Sequence, residues 1–90
     1  IVVMGDFNSA PNESPIKILK ENLNDSFNEA SQQKPFGTFN GFDLKTKLSK
    51  RIDYIFTKNI KVQNYNHIFK KLPNGLWPSD HLPILITIHE

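Results

Sequence analysis

The ninety-residue sequence predicts an α/β fold of α+β type, a mixed and mainly antiparallel sheet served by one main helix. Three observations point there. Short apolar or alternating runs of strand length stand at Ile1–Met4, Arg51–Thr57 and Leu82–Ile88. Between the first two, Ile16, Ile18, Leu19 and Leu23 recur at helical spacing while Lys17, Lys20 and Glu21 take the polar side. Proline, glycine and asparagine punctuate the runs, with no internal repeat and no low-complexity tract. This length supports one domain, 1–90, or part of one.

Taken in order, Ile1 to Met4 is uninterrupted apolar chain closed by Gly5, the pattern of a strand buried on both faces. Asp6 to Asn12 then forms a loop at its carboxyl end. Ser14 followed by Pro15 is a helix start, a capping hydroxyl with proline at the first helical position. Asn22 and Asn24 close that helix, and 25–30 forms a short helical turn. Residues 31–37 are a polar loop, Thr38-Phe39-Asn40 a short strand, and 41–49 a mobile basic loop. Arg51 to Thr57 alternates, with Ile52, Tyr54 and Phe56 on one face. Lys58-Asn59 is expected to turn it back, Asn59 at positive φ, into an edge strand from Ile60 to Phe69. Pro73-Asn74-Gly75 is a turn, and Leu82 to Ile88 reads as a central strand, apolar on both faces.

Composition narrows the functional classes. Cysteine is absent, which excludes disulfide staples and thiolate metal sites. No apolar run approaches the roughly 20 residues of a membrane-spanning helix. Hydrophobic content of 38% with seven Phe suffices for a packed core. The net charge of +2 conceals an asymmetry: 1–30 holds two lysines against five acids, 31–90 nine basic against four acidic groups. Lys45, Lys47, Lys50 and Arg51 form the densest basic patch, read either as a solvated loop or as a positive rim for a phosphate-bearing partner.

Three stations carry the chemistry. In Gly5-Asp6-Phe7-Asn8, an acid and an amide follow a buried strand, where sites of open sheets gather; turn capping is the competing reading. Asp53 sits among the apolar residues of a strand, which a carboxylate tolerates only with a partner, either Arg51 or a histidine whose tautomer it would fix. Asp80-His81, bracketed by Pro78 and Pro83, places an acid and an imidazole at a rigid strand start. Together the three supply the groups needed for metal-assisted attack of water on phosphorus. His67 and His89 read as surface or strand residues. Trp77 packs beside the Asp80-His81 loop or stacks on a base.

In this order, Gly5-Asp6-Phe7-Asn8, Arg51-Ile52-Asp53-Tyr54-Ile55-Phe56 and Ser79-Asp80-His81-Leu82-Pro83-Ile84 resemble the endonuclease/exonuclease/phosphatase superfamily, the DNase I-like group of Mg²⁺-dependent phosphodiesterases and phosphatases. Gly37-Thr38-Phe39 and Gly41-Phe42 resemble the segment between the first two motifs in bacterial members. The resemblance implies a four-layer α/β/β/α sandwich of which this chain is the C-terminal half. It implies that Asp6 orients or deprotonates the attacking water and that Asn8 helps hold the phosphoryl oxygens. His81 would contact the phosphate with its proton held by Asp53, and Asp80 would ligate or orient the metal, Mg²⁺ or Mn²⁺. The family's early Asn, metal-holding Glu and further His would come from an N-terminal half, without which the chain is expected to be inactive. The expected function is thus a metal-dependent phosphoester hydrolase, the alternative a non-enzymatic binding module on the same scaffold. A phosphoester is the expected partner, with a slight tilt toward nucleic acid from the basic loop and Trp77.

Overall fold

A strand becomes central by acquiring neighbours on both edges, and here that strand is the one carrying Asp53. In the computed structural model, which describes residues 1–29 and 37–89, β3 (Asp53–Thr57) lies between β1 (Val2–Asp6) and β2 (Asn24–Asp25), antiparallel to both. Tyr54, Ile55, Phe56 and Thr57 are all buried, so β3 is covered on both faces. β4 (Lys61–His67) and β5 (Ile84–His89) form a separate antiparallel pair, irregular between Val62 and Asn64. Two short helices complete the order: α1 (Ser14–Lys20) after β1, and α2 (Ser26–Glu29) directly after β2.

The α+β class and the mainly antiparallel pairing are as the sequence predicts, but the strand roles are not. Asn59 does take positive φ, 61°, yet no hairpin joins β3 to β4. Both edges of β3 are already taken at its Thr57 end, by Val2 of β1 and Asn24 of β2, so the chain leaves that sheet and pairs with β5 instead. Nor is the last strand central. Leu85 and Ile88 are exposed, because β5 is hydrogen-bonded to β4 alone among the described residues. β1 is likewise open on one face, with Val3 packed inward and Ile1, Val2 and Met4 exposed. Apolar sequence permits burial without compelling it.

The main core stacks Ile16 of α1 against Tyr54 and Phe56 of β3, with Val3, Phe7, Leu19 and Leu23 around them. Ile16 and Leu19 are the helix face that packs, joined by Leu23 from beyond the helix end; Ile18 points to solvent. The helix begins one residue off the expected frame. Glu13, not Ser14, occupies the N-cap, and no side chain caps the helix; the Glu13 carboxylate instead accepts from the Ala10 amide at 2.6 Å. Pro15 still falls in the first turn, where its missing N–H costs nothing. Asn24-Asp25 forms β2 rather than a helix end. The expected loop at 31–36 and the last residue of the 25–30 turn lie outside the described residues.

A second, smaller core joins Leu48, Trp77 and Leu82. Trp77 packs beside the Asp80-His81 loop as expected, but its indole is buried and its Nε1–H donates to the Asp43 carbonyl at 3.1 Å, which removes it as a platform for a base. The 41–49 loop is tied down by bonds from the Phe42 amide to Asn40 Oδ1 and from the Asp43 amide to the Asn40 carbonyl. Arg51 does not belong to a basic rim. It is buried, and its two terminal nitrogens grip the Asp25 carboxylate at 3.2 and 2.8 Å between the rings of Phe27 and Tyr54.

Candidate active site

Antiparallel pairing sets the end of one strand beside the start of the other. Asp6, last residue of β1, therefore lies directly opposite Asp53, first residue of β3. Carboxylates facing each other across a ladder repel and need a cation or proton between them. The structure supplies an imidazole. His81 Nδ1 lies 2.7 Å from Asp53 Oδ2, while Nε2 lies 3.7 Å from Asp6 Oδ2 and 3.9 Å from Asp80 Oδ1. The hydrogen bond that His81 donates to Asp53 lifts the His81 pKa above the ordinary value of 6.5; partial burial opposes this, and the charges of Asp53, Asp6 and Asp80 reinforce it. With Nδ1–H given to Asp53, Nε2 is the nitrogen turned toward Asp6.

The loop carrying His81 is held by a segment that sequence reasoning did not place in the site. Phe39 forms an isolated bridge with His81, and its ring meets the imidazole edge-on, centroids 5.3 Å apart. The Asn40 amide donates to the Asp80 carbonyl at 2.8 Å, and Asn40 Nδ2 to the Ser79 carbonyl at 2.9 Å. Buried Thr38 links both halves. Its carbonyl accepts from the Leu82 amide, and its Oγ1 receives the Ile52 and Asp53 amides at 3.1 and 3.2 Å. Consecutive amides of a flat strand point opposite ways, so their convergence on one oxygen marks a bend just where Asp53 begins β3. Gly37 is required beside it, since a Cβ there would collide with the backbone of Leu48 and Lys50. The Gly37-Thr38-Phe39 motif was the signal for this clamp.

Of the five residues singled out from sequence, Asp6, Asp53 and His81 converge so closely that one ligand atom from each lies within 4.8 Å of the others. Asp80 flanks them with a half-exposed side chain. Asn8 adopts positive φ, 49°, and its amide donates to Asp6 Oδ1 at 2.8 Å, so its backbone orients that carboxylate. Its side chain lines the same cavity as His81.

This arrangement matches a known family. The family model described as Endonuclease/Exonuclease/phosphatase family matches residues 1–81. The chain belongs to that family. Among solved structures, a functionally unknown conserved protein from Enterococcus faecalis V583 is 31% identical with a TM-score of 0.90, over 98% of this chain and 35% of its own. A mannosyl-6-phosphatase from Bacteroides thetaiotaomicron VPI-5482 is 26% identical with a TM-score of 0.82, over 99% of this chain and 37% of its own. An endonuclease/exonuclease/phosphatase family protein from Bacteroides thetaiotaomicron is 27% identical with a TM-score of 0.80, over 97% and 34%. No curated protein sequence matches the chain. The chain thus spans about a third of the length of the solved structures it matches.

For this family of phosphoester hydrolases, the donor set fits a hard divalent cation in kind, since two carboxylates meet with a third beside them. It does not fill an octahedron by itself. His81 Nδ1 is engaged by Asp53, and no glutamate joins the cluster among the described residues. Among the described residues no helix is long and apolar enough to cross a membrane.

Proposed function

We propose that this chain is the C-terminal portion of a metal-dependent phosphoester hydrolase that works by attack of water on phosphorus. The observation that carries the reading is the convergence of Asp6, Asp53 and His81 at the meeting of β1, β3 and the loop before β5. Asp6, oriented by the Asn8 amide, orients the attacking water and takes its proton. In its protonated form, which the hydrogen bond to Asp53 favours, His81 presents Nε2–H to a phosphoryl oxygen. Asp53 touches no substrate; it fixes the imidazole and stabilises its charge. The Asn8 side chain supplies a further donor from the cavity edge. As water oxygen bonds to phosphorus, the ester P–O bond breaks and the leaving oxygen is protonated from solvent.

Asp80 is the group that would hold Mg²⁺ or Mn²⁺, the remaining positions coming from water and from residues N-terminal to this chain. When bound, the ion neutralises charge that develops on the phosphoryl oxygens. A relative's description as a mannosyl-6-phosphatase supports hydrolysis of phosphoesters for this chain too. Because the chain contributes only part of the ligand set, the isolated 90-residue protein is expected to show no turnover with Mg²⁺, and the full-length protein is expected to hydrolyse p-nitrophenyl phosphate. Loss of that activity in His81→Ala supports an enzyme. No turnover by the unaltered full-length protein points to the binding module instead, and an unchanged rate in His81→Ala removes His81 from the chemistry.

A further inference from the structure

Two loops border the site without taking part in it, and they meet each other beside it. Residues 41–49 begin where the Asn40 and Gly41 amides converge on the Asp80 carbonyl, and residues 68–77 run into the Asp80-His81 loop. Trp77 joins the two. Its Nε1–H donates to the Asp43 carbonyl, the Phe69 ring meets it edge-on with centroids 5.2 Å apart, and Lys71 Nζ lies 4.9 Å over its face. Both loops are folded rather than slack. In the first, the Asp43 carboxylate accepts the Lys45 amide at 2.9 Å and Thr46 Oγ1 the Leu48 amide at 3.2 Å. In the second, the Leu72 amide donates to the Leu76 carbonyl at 2.8 Å, and Gly75 closes that turn at a φ of 83°.

What these loops show to solvent is at once apolar and cationic. Leu48, Trp77 and Leu82 fill the core beneath, while Leu44, Phe69, Leu72 and Leu76 keep between 45% and 56% exposure. Lys45, Lys47 and Lys70 are exposed among them and Lys71 half-buried, against Asp43 as the one acid of the two loops. Exposed apolar side chains rimmed by charge mark a binding surface, and this combination selects the partner. Protein interfaces gather aromatics and arginine and shed lysine. Stacking on nucleic acid needs rings, yet three of these four side chains are leucines and Trp77 is sealed below. A second copy set face to face would bring lysine against lysine. A bilayer with anionic headgroups satisfies both halves. Leucine and phenylalanine enter the headgroup boundary, while lysines lay their stems on the apolar surface and keep their ammonium groups among the phosphates.

We propose that loops 41–49 and 68–77 form a docking platform for an anionic lipid surface, which seats the protein with the His81 loop beside the bilayer. Leu44, Phe69, Leu72 and Leu76 insert, and Lys45, Lys47, Lys70 and Lys71 supply the complementary charge. Neither signal is strong alone; anchoring of this kind takes the two together. The platform goes beyond the hydrolase reading and does not depend on it.

The test sediments the full-length protein with vesicles of phosphatidylcholine, either alone or with a third of the lipid replaced by phosphatidylserine. Binding to the phosphatidylserine vesicles is expected to be at least about tenfold tighter and to be released by high salt. The triple variant Lys45→Gln, Lys47→Gln, Lys70→Gln is expected to lose about a hundredfold in affinity for them, near fivefold for each lysine. The double variant Leu72→Ser, Leu76→Ser is expected to lose about tenfold while its salt dependence is kept. All five side chains are exposed, so the urea midpoint should stay in place in both variants. No binding, equal binding to the two kinds of vesicle, or an affinity unmoved in both variants overturns the platform. So does binding to a single-stranded oligonucleotide, lost in the lysine variant, by a protein that leaves the vesicles untouched; that result assigns the patch to nucleic acid. None of these outcomes reads turnover, so the hydrolase reading stands or falls separately.

Discussion

Two pairs of an acid and a base sit at opposite ends of one short stretch, and their surroundings make them different devices. Arg51 and Asp25 are sealed, with side-chain exposures of 2% and 0%, and the guanidinium lies between two aromatic rings. Two residues on, Asp53 pairs with His81 at 2.7 Å, but those side chains keep 17% and 27% exposure, and His81 lines a cavity. The first pair is unreachable by any substrate and joins β2 to the start of β3. The second is open to water, carries a raised imidazole pKa, and has Asp6 and Asp80 within 4 Å of its ring. Burial decides which pair is sealed into the fold and which is left open to a substrate.

Substitutions at the two pairs should separate along that line. His81→Ala should lower kcat/KM of the full-length protein about 10²–10⁴-fold, with a smaller loss of urea resistance than a change at Arg51 causes. Arg51→Met should do the reverse. It strands a buried carboxylate and should destabilise the fold by about 3–5 kcal/mol, read from equilibrium urea unfolding, with kcat/KM of the molecules that remain folded little changed. Asp53→Asn keeps the shape but loses the charge behind the ring, and should lower kcat/KM about 10–100-fold. Smaller still is Tyr54→Phe, which removes the hydroxyl under the cavity and should cost about 1–2 kcal/mol of stability. That hydroxyl is a dependable donor, because burial pushes the Tyr54 pKa up to about 12 against the opposing Arg51 charge.

The pairs also differ in their response to pH. The folded pKa of His81 lies above its unfolded value of 6.5, so folding binds protons there. The stability this supplies is complete below 6.5, while the carboxylates remain charged, and fades as pH rises through the folded pKa. Metal-free protein should therefore lose some urea resistance across that window, and His81→Gln should flatten the loss. A slope unchanged by the substitution would remove His81 as its source.

The grouping of Asp6, Asp53 and His81 was more legible in the sequence than the strand order. Asp6, Asp53 and His81 stand out because polar residues interrupt apolar runs at strand ends, and that anomaly survives whatever the topology. Pairing is different. Arg51–Thr57 and Ile60–Phe69, joined by an asparagine able to turn, look like a hairpin, and only the occupation of both β3 edges by β1 and β2 forbids it. Asp25 sits 26 residues from Arg51, so sequence offered Asp53 as the nearer partner and grouped Arg51 with the basic patch, read as a solvated loop or a positive rim. The apolar runs of β1 and β5 read as buried, yet Met4 and Leu85 are exposed, because composition does not say what lies across a face. Thr38 and Asn40 escaped notice as site residues for a related reason: their work is done by backbone groups, one hydroxyl and one side-chain amide bonded to backbone, which look the same in any loop.

The contact that joins the site is the one between His81 Nδ1 and Asp53, and its proton can be observed directly. A proton spectrum of ¹⁵N-histidine-labelled protein should show a downfield, exchange-protected Nδ1–H resonance from one histidine, absent from both His81→Gln and Asp53→Ala. A spectrum without that resonance, or one in which it persists after Asp53 is removed, would contradict the arrangement on which the proposed chemistry depends.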